Sequence, residues 1–202
     1  MRITIFGATG RMGHLLVRQA LDAGYDVTAY ARAPGRMRIA HPRLSVVAGE
    51  LDDDHAIVRA VRGADAVIEG VGAVSDATGR IIGAMEHAGV DRFVVVSTCS
   101  VPDPRDLTDT EFADLVTLVK TVAPGPYAEV RRAAELVRAS RLGWTLVRVA
   151  RLDDGPATGR VKVGHYGHGV VGPSITRADM AAFLLGQVSD GTYLRQAPAI
   201  SN

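Results

Sequence analysis

Seven residues near the N-terminus, Gly7-Ala8-Thr9-Gly10-Arg11-Met12-Gly13, constrain the chain more than any other stretch. They follow an apolar run, Arg2–Phe6, and open a segment, Met12–Ala23, in which Leu15, Leu16, Gln19, Ala20 and Ala23 recur at helical spacing. Glycines in this order have separate uses. One permits a tight turn, one lets the backbone come close to a bound group, and one lets helix and strand pack closely. The amides left free at the start of the helix then face an anion, and the turn points to a pyrophosphate.

The rest of the chain repeats the alternation. Gly24 is placed to cap the first helix in the left-handed conformation. Short β-branched runs at Asp26–Tyr30, Leu44–Ala48, Ala64–Glu69, Arg92–Ser97 and Trp144–Val149 read as strands, the Val-rich Arg92–Ser97 as one buried on both faces. Between them lie helical patterns at Asp52–Val61, at Arg80–Ala88 with Gly89 as its cap, and at Tyr127–Ser140 behind Pro124 and Pro126. Strand and helix in alternation with short connections predict an α/β fold: a Rossmann-type, doubly wound parallel sheet with helices on both faces.

After residue 150 the pattern loosens. Gly155–Gly172 is rich in glycine and histidine, with a strand expected at Arg160–Val163. A last helix is expected at Thr176–Val188, with Thr176 as N-cap and Asp179 in an acidic variant of the capping box. The stretch is too short to fold alone. The expected organisation is one domain over 1–202: a dinucleotide-binding core at 1–150, and a short C-terminal extension at 151–202 that walls the substrate side.

Composition narrows the partners. The formal net charge is +1, which gives no general affinity for nucleic acid or an anionic membrane. The 21 arginines against 2 lysines read first as composition bias. Cys99 is the single cysteine, so no internal disulfide framework is expected. With no signal pattern at the N-terminus and no apolar run of about 18 residues, the expectation is a cytoplasmic protein, a monomer or homodimer acting on a small molecule.

The end of the second strand bears on which dinucleotide is held. Sites that prefer NAD place Asp or Glu there for the ribose 2′-hydroxyl. Here the stretch reads Val27-Thr28-Ala29-Tyr30-Ala31-Arg32, without a carboxylate. Arg32 is suited to a two-bond, charge-assisted contact with a 2′-phosphate, and Arg11, Arg36 and Arg38 add positive charge nearby. NADP(H) is therefore the expected cofactor, the alternative being that Arg32 is a solvated loop residue.

The Gly-Ala-Thr-Gly turn, Arg32, Gly49-Glu50-Leu51-Asp52, Asp65-Ala66-Val67-Ile68, Val94-Val95-Val96-Ser97-Thr98, and Glu135 followed by Trp144-Thr145-Leu146-Val147-Arg148 stand in the order of a known family. The chain resembles the atypical short-chain dehydrogenase/reductases with NmrA-like NAD(P)-binding domains. Leu152–Pro156 and Ile175–Asp179 bring it nearest the flavin reductase (biliverdin-IXβ reductase) branch. The resemblance implies that Gly7, Thr9, Gly10, Arg11 and Met12 wrap the pyrophosphate and that Arg32 holds the 2′-phosphate. It further implies that Leu51 and Asp52 border the adenine, that Val71, Gly72 and Ala73 border the adenosine ribose, and that Ser97 and Thr98 lie by the nicotinamide.

The chemistry is less constrained. Many reductases of this kind use Tyr-x-x-x-Lys on a helix; here the matching stretch is Tyr127-Ala128-Glu129-Val130-Arg131. Arg131 can stabilise a tyrosinate but cannot relay a proton, which puts carbonyl reduction in doubt and leaves Tyr127 either a proton donor or a packing residue. Hydride transfer to a flavin or quinone-like acceptor asks less of acid–base groups, and Thr98 is the preferred hydroxyl for it. His165, Tyr166 and His168 can border a pocket, but lack a third ligand for a metal. Cys99 reads as a small buried residue, and Arg131, Arg132 and Arg138 as a solvated basic face. An NADPH-dependent reductase is the leading expectation, with an NADP(H)-sensing regulator, or an isomerase or cyclase on the same fold, as the alternatives.

Overall fold

The computed structural model describes residues 1–72 and 74–202. Six parallel strands form its core: β1 (Arg2–Phe6), β2 (Asp26–Ala31), β3 (Leu44–Ala48), β4 (Ala66–Glu69), β5 (Arg92–Thr98) and β6 (Gly143–Val149). Their order across the sheet is β3-β2-β1-β4-β5-β6. The order reverses between β1 and β4, so a crevice opens at the carboxyl ends of those two strands, next to the Gly7 turn.

Side chains alternate across the sheet as the pleat requires. Ile3, Ile5, Ala66 and Ile68 face one layer with α1 (Arg11–Asp22) and α6 (Arg177–Gly186). Phe6, Val67, Phe93 and Val95 face the other, with α2 (Asp54–Val61), α3 (Ser75–Ala88) and α5 (Pro124–Ala139). The doubly wound arrangement is as the sequence predicts.

Several boundaries differ for physical reasons. Asp53, not Asp52, caps α2, its side chain accepting from the Ala56 amide at 2.9 Å. α3 begins at Ser75, five residues before the expected Arg80. α5 begins at Pro124 because proline in a first helical turn gives up only an amide that would be unpaired anyway. One helix, α4 (Thr110–Val122), is not anticipated by the sequence reading. Its buried residue is Phe112, with Leu115, Val116 and Val119 half-buried at the same helical spacing; the exposed Leu118 and Val122 on other faces blur that stripe.

The last quarter does more than cover strand ends. The expected strand at Arg160–Val163 is β8 (Lys162–Gly164), which pairs antiparallel with β10 (Ala199–Ser201); β10 in turn runs parallel to β6 and extends the main sheet. A separate parallel pair, β7 (Arg151–Asp153) and β9 (Ser174–Thr176), lies over the first helical layer. The capping box is also modified. The Thr176 hydroxyl accepts from the Asp179 amide at 3.1 Å, but the Asp179 carboxylate does not return to the Thr176 amide. It receives the Thr158 amide and hydroxyl, the Gly159 amide, the Thr176 hydroxyl and the Asn202 side-chain amide. Burial alone would raise its pKa, but these donors hold it down to about 2.

No described helix is long and apolar enough to cross a membrane.

Candidate active site

At the switch point a cavity of about 850 Å3 opens between the turn after β1 and the turn after β2. The expected Gly7, Thr9, Gly10, Arg32, Leu51, Asp52 and Val71 all border it. The two critical glycines are legible as steric facts. Gly7 sits at φ +82°, and a Cβ on it would stand 2.6 Å from the Gly70 carbonyl oxygen. A Cβ on Gly13 would stand 2.1 Å from the Gly7 carbonyl oxygen. Only hydrogen fits at either place, so α1 can start tight against β1. Its N-cap is Gly10, which supplies no capping side chain and leaves the helix entrance to a bound anion.

The arginines divide into two groups. Arg32 and Arg36 border the cavity, and neither forms an ion pair among the described residues. His14 Nε2 lies 3.1 Å from the Arg36 carbonyl oxygen and ties that rim to α1. Arg11 behaves differently. Its guanidinium turns away to Asp154 in the extension at 2.8 Å, and Asp154 also takes Arg177 at 2.7 Å. Arg11 does not border the cavity, and its guanidinium lies in this exposed pair instead of toward the cavity. Met12 packs its side chain against Gly70 instead of opening onto the cavity.

Three contacts hold the far walls. The Tyr30 hydroxyl donates to the Glu50 carbonyl at 2.6 Å, fixing the turn that carries Leu51 and Asp52. Burial and nearby Asp53 push that hydroxyl up to about 12, so it remains a donor. Arg80, also on the wall, is paired with Asp54 at 2.6 Å. The amide and hydroxyl of Ser75 both donate to the Glu129 carboxylate, at 2.9 and 2.7 Å, tethering α3 to α5. Tyr30, Arg80 and the start of α3 were not singled out from sequence, since their roles depend on which strands become neighbours.

Glu69 closes β4 directly before Gly70 and Val71 of the cavity wall. It is 2% exposed; its Oε1 accepts from the Thr78 hydroxyl at 2.7 Å, and its Oε2 is buried without a partner. Burial pushes its pKa up to about 7, against a smaller lowering by Thr78.

The expected Ser97 and Thr98 lie at the carboxyl end of β5 and do not border the large cavity. Ser97 is buried, with its hydroxyl unpartnered. Thr98 Oγ1 accepts from the Ser100 amide at 3.2 Å, satisfying the backbone there while leaving its own proton to donate. On α5, Arg131 Nη1 donates to the Tyr127 hydroxyl oxygen at 3.2 Å. Gly72 borders no wall of the large cavity, and Ala73 lies outside the described residues. No group of three or more His, Cys, Asp or Glu among the described residues is arranged to hold a metal.

These features fit NADP(H): a cradle that only glycine can form, an uncapped helix entrance, and two arginines without counter-ions on the cavity wall. Comparisons with known proteins agree. The NAD(P)H-binding family matches residues 7–191. The chain is 33% identical over 150 residues to the (4-alkanoyl-5-oxo-2,5-dihydrofuran-3-yl)methyl phosphate reductase of Streptomyces griseus, a match covering 72% of this chain and 46% of that protein. It spans less than half the length of the first curated relatives it matches. Among solved structures, a short-chain dehydrogenase/reductase from Veillonella parvula in complex with NADP superposes with a TM-score of 0.84 at 21% identity, covering 100% of this chain and 94% of that one. ChuY, an anaerobillin reductase from Escherichia coli O157:H7, superposes with a TM-score of 0.83 at 23% identity, covering 100% and 97%. At such identities the likeness establishes the fold. With the family matched over nearly its whole length, the chain belongs to the NAD(P)H-binding family, and NAD(P)H is its cofactor.

Proposed function

We propose that this chain is an NADPH-dependent reductase that delivers hydride to a small conjugated acceptor: a flavin, a quinone or a related ring system. The observation that carries the reading is the contact between Arg131 and Tyr127. The guanidinium can stabilise charge on the tyrosine oxygen, but it holds its protons too tightly to relay one. A simple carbonyl would draw on such a relay as its oxyanion forms, whereas a conjugated acceptor spreads the incoming charge over its ring. The name of the Streptomyces relative, a reductase of an oxo-dihydrofuranyl compound, supports a ring acceptor.

In this reading Arg32 and Arg36 bind the 2′-phosphate and select NADPH over NADH. Gly7, Thr9, Gly10 and the main chain of Arg11 and Met12 hold the pyrophosphate. Leu51 and Asp52 border the adenine, Val71 borders the ribose, and Ser97 lies by the nicotinamide. When bound, NADPH supplies the hydride. Thr98 orients the acceptor and donates a hydrogen bond to it, Tyr127 is the second hydroxyl in reach, and residues 151–202 wall the acceptor side. The protein works as a cytoplasmic monomer or homodimer. The missing lysine also favours a second reading, a non-catalytic NADP(H) sensor, and an isomerase or cyclase on the same fold would likewise hold the cofactor without consuming it.

Titration calorimetry with NADPH and NADH, followed by nicotinamide absorbance with FMN and a simple quinone added, tests the proposal. Tight NADPH binding with acceptor-dependent oxidation is the expected result. Tight binding with no oxidation across a varied acceptor panel would replace the reductase with the sensor or isomerase. Arg32→Asp should weaken NADPH by about ten- to a hundredfold, the range of one charged hydrogen-bonded contact, and leave NADH nearly unchanged. Equal loss for both would remove Arg32 from the 2′-phosphate.

A further inference from the structure

A second cavity, of about 240 Å3, begins one residue beyond Thr98. It lies between the loop after β5, the first turns of α4, Arg131 of α5 and Tyr166. At that size it takes part of a ligand rather than a whole one, since complete small-molecule sites start near 300 Å3. Its walls are largely apolar, with Phe112 and Tyr166 packed ring to ring at 4.3 Å.

The polar groups on these walls are divided by what they already hold. Asp106 is clamped by two nitrogens of Arg148, a side chain with no solvent exposure, and also accepts the amides of Tyr166 and Asp103. Asp109 caps α4, its Oδ1 accepting from the amides of Glu111 and Phe112 at 3.0 and 3.3 Å. Both carboxylates of the cavity are thus committed to the fold. Two donors are not. The Tyr166 hydroxyl is buried with no partner, on a residue 4% exposed, and burial raises its pKa so that it keeps its proton. Arg131 forms no ion pair among the described residues; its contacts are the Tyr127 hydroxyl and, at 3.5 Å, the Ser100 carbonyl. Behind the wall Arg138 donates to the Pro102 carbonyl at 2.7 Å, and it too has no carboxylate partner. An unpaired buried hydroxyl costs free energy that a matching oxygen recovers. An apolar chamber bordered by a guanidinium, and by a tyrosine whose buried hydroxyl has no partner, is complementary to an anionic oxygen on an apolar body.

We infer that this cavity receives the acidic arm of the acceptor, so that the substrate class is a carboxylate-bearing conjugated molecule. Its ring lies by Thr98, and its carboxylate is held by Arg131 and Tyr166. The inference rests on the reductase reading for the word acceptor, but the anion site can be tested apart from it.

The probes are 1-naphthoate and its neutral isostere 1-naphthamide, titrated by calorimetry into protein saturated with NADP+, so that the phosphate-binding cavity is filled. Naphthoate should bind about tenfold more tightly than naphthamide, the scale of one charged hydrogen bond. Arg131→Gln should abolish that preference, and Tyr166→Phe should reduce it severalfold, both without altering NADP+ affinity. Arg131 is half-exposed, so its variant keeps the question decidable if loss of the Tyr166 hydroxyl disturbs the core. Equal affinity for the two probes, or a preference that survives both substitutions, overturns the inference. A preference that both substitutions remove, in a protein that reduces no acceptor, upholds the anion site and refutes the reductase reading alone.

Discussion

Glu69 makes stability depend on pH in a direction opposite to that of a paired carboxylate. Its carboxyl titrates near 7 in the fold against an ordinary 4.5, because the site is dry and offers only the Thr78 hydroxyl. Below pH 4.5 the group is protonated in both folded and unfolded chains. Between 4.5 and about 7 the unfolded chain loses its proton first, so the folded state is progressively penalised as pH rises; above 7 the penalty is constant. The span corresponds to about 3 kcal/mol. Glu69→Gln keeps the shape and the acceptor for Thr78 but cannot ionise. About 2.5 kcal/mol of this falls between pH 5 and pH 8, so the variant's melting temperature relative to wild type should climb over that interval by about 5–10 °C, at about 2–4 °C per kcal/mol for a chain of this length. Differential scanning calorimetry of both proteins in matched buffers reads this directly, and taking the difference cancels every other titrating group. Parallel curves across that interval would show that water or a cation reaches Oε2, and would refute a dry carboxyl.

Gly13→Ala should prevent NADPH binding and lower stability by several kcal/mol, because its Cβ would meet the Gly7 carbonyl at 2.1 Å; an intact calorimetric binding isotherm would contradict the close packing of α1 on β1. Asp106→Ala leaves the Arg148 charge buried without its partner and should cost about 3–5 kcal/mol in denaturant unfolding, while Asp106→Ala with Arg148→Met should recover much of it; no recovery would mean that Arg148 matters through its carbonyl contacts. Thr98→Val, nearly isosteric, should lower kcat with the best acceptor about a hundredfold and leave NADPH affinity alone, and an unchanged kcat would confine Thr98 to its Ser100 contact.

The two halves of the site were legible to different degrees, and the reason lies in sequence separation. The phosphate cradle is local: Gly7 to Gly13 are contiguous, and the steric demands on them follow from a strand turning directly into a helix. The absence of a carboxylate after β2 is likewise read from adjacent residues. The second cavity is assembled from afar. Arg148 meets Asp106 across 42 positions, and the Tyr166 amide meets the same carboxylate across 60. α4 could have been read from Phe112, Leu115, Val116 and Val119 at helical spacing behind Asp109, a fair N-cap signal, but the exposed Leu118 and Val122 blur the pattern. The burial of Glu69 leaves no trace in Ala66-Val67-Ile68-Glu69, which reads as a strand with a polar end. Arg11 shows the converse: its place in the motif is local, but Asp154, 143 residues on, decides where its charge goes.

The position of β10 bears on how the molecule is made. A ribosome delivers β1 to β6 in order, and that sheet can close once residue 149 is free. β8 then emerges without a neighbour, because the strand it pairs with comes about 35 residues later, as does Asn202 with its amide for Asp179. At about 5–20 residues per second the wait is roughly 2–7 s. During that interval the nascent chain already has its phosphate cradle and an unpaired strand at its edge. A nucleotide captured then would steady the growing domain before its last strands are paired.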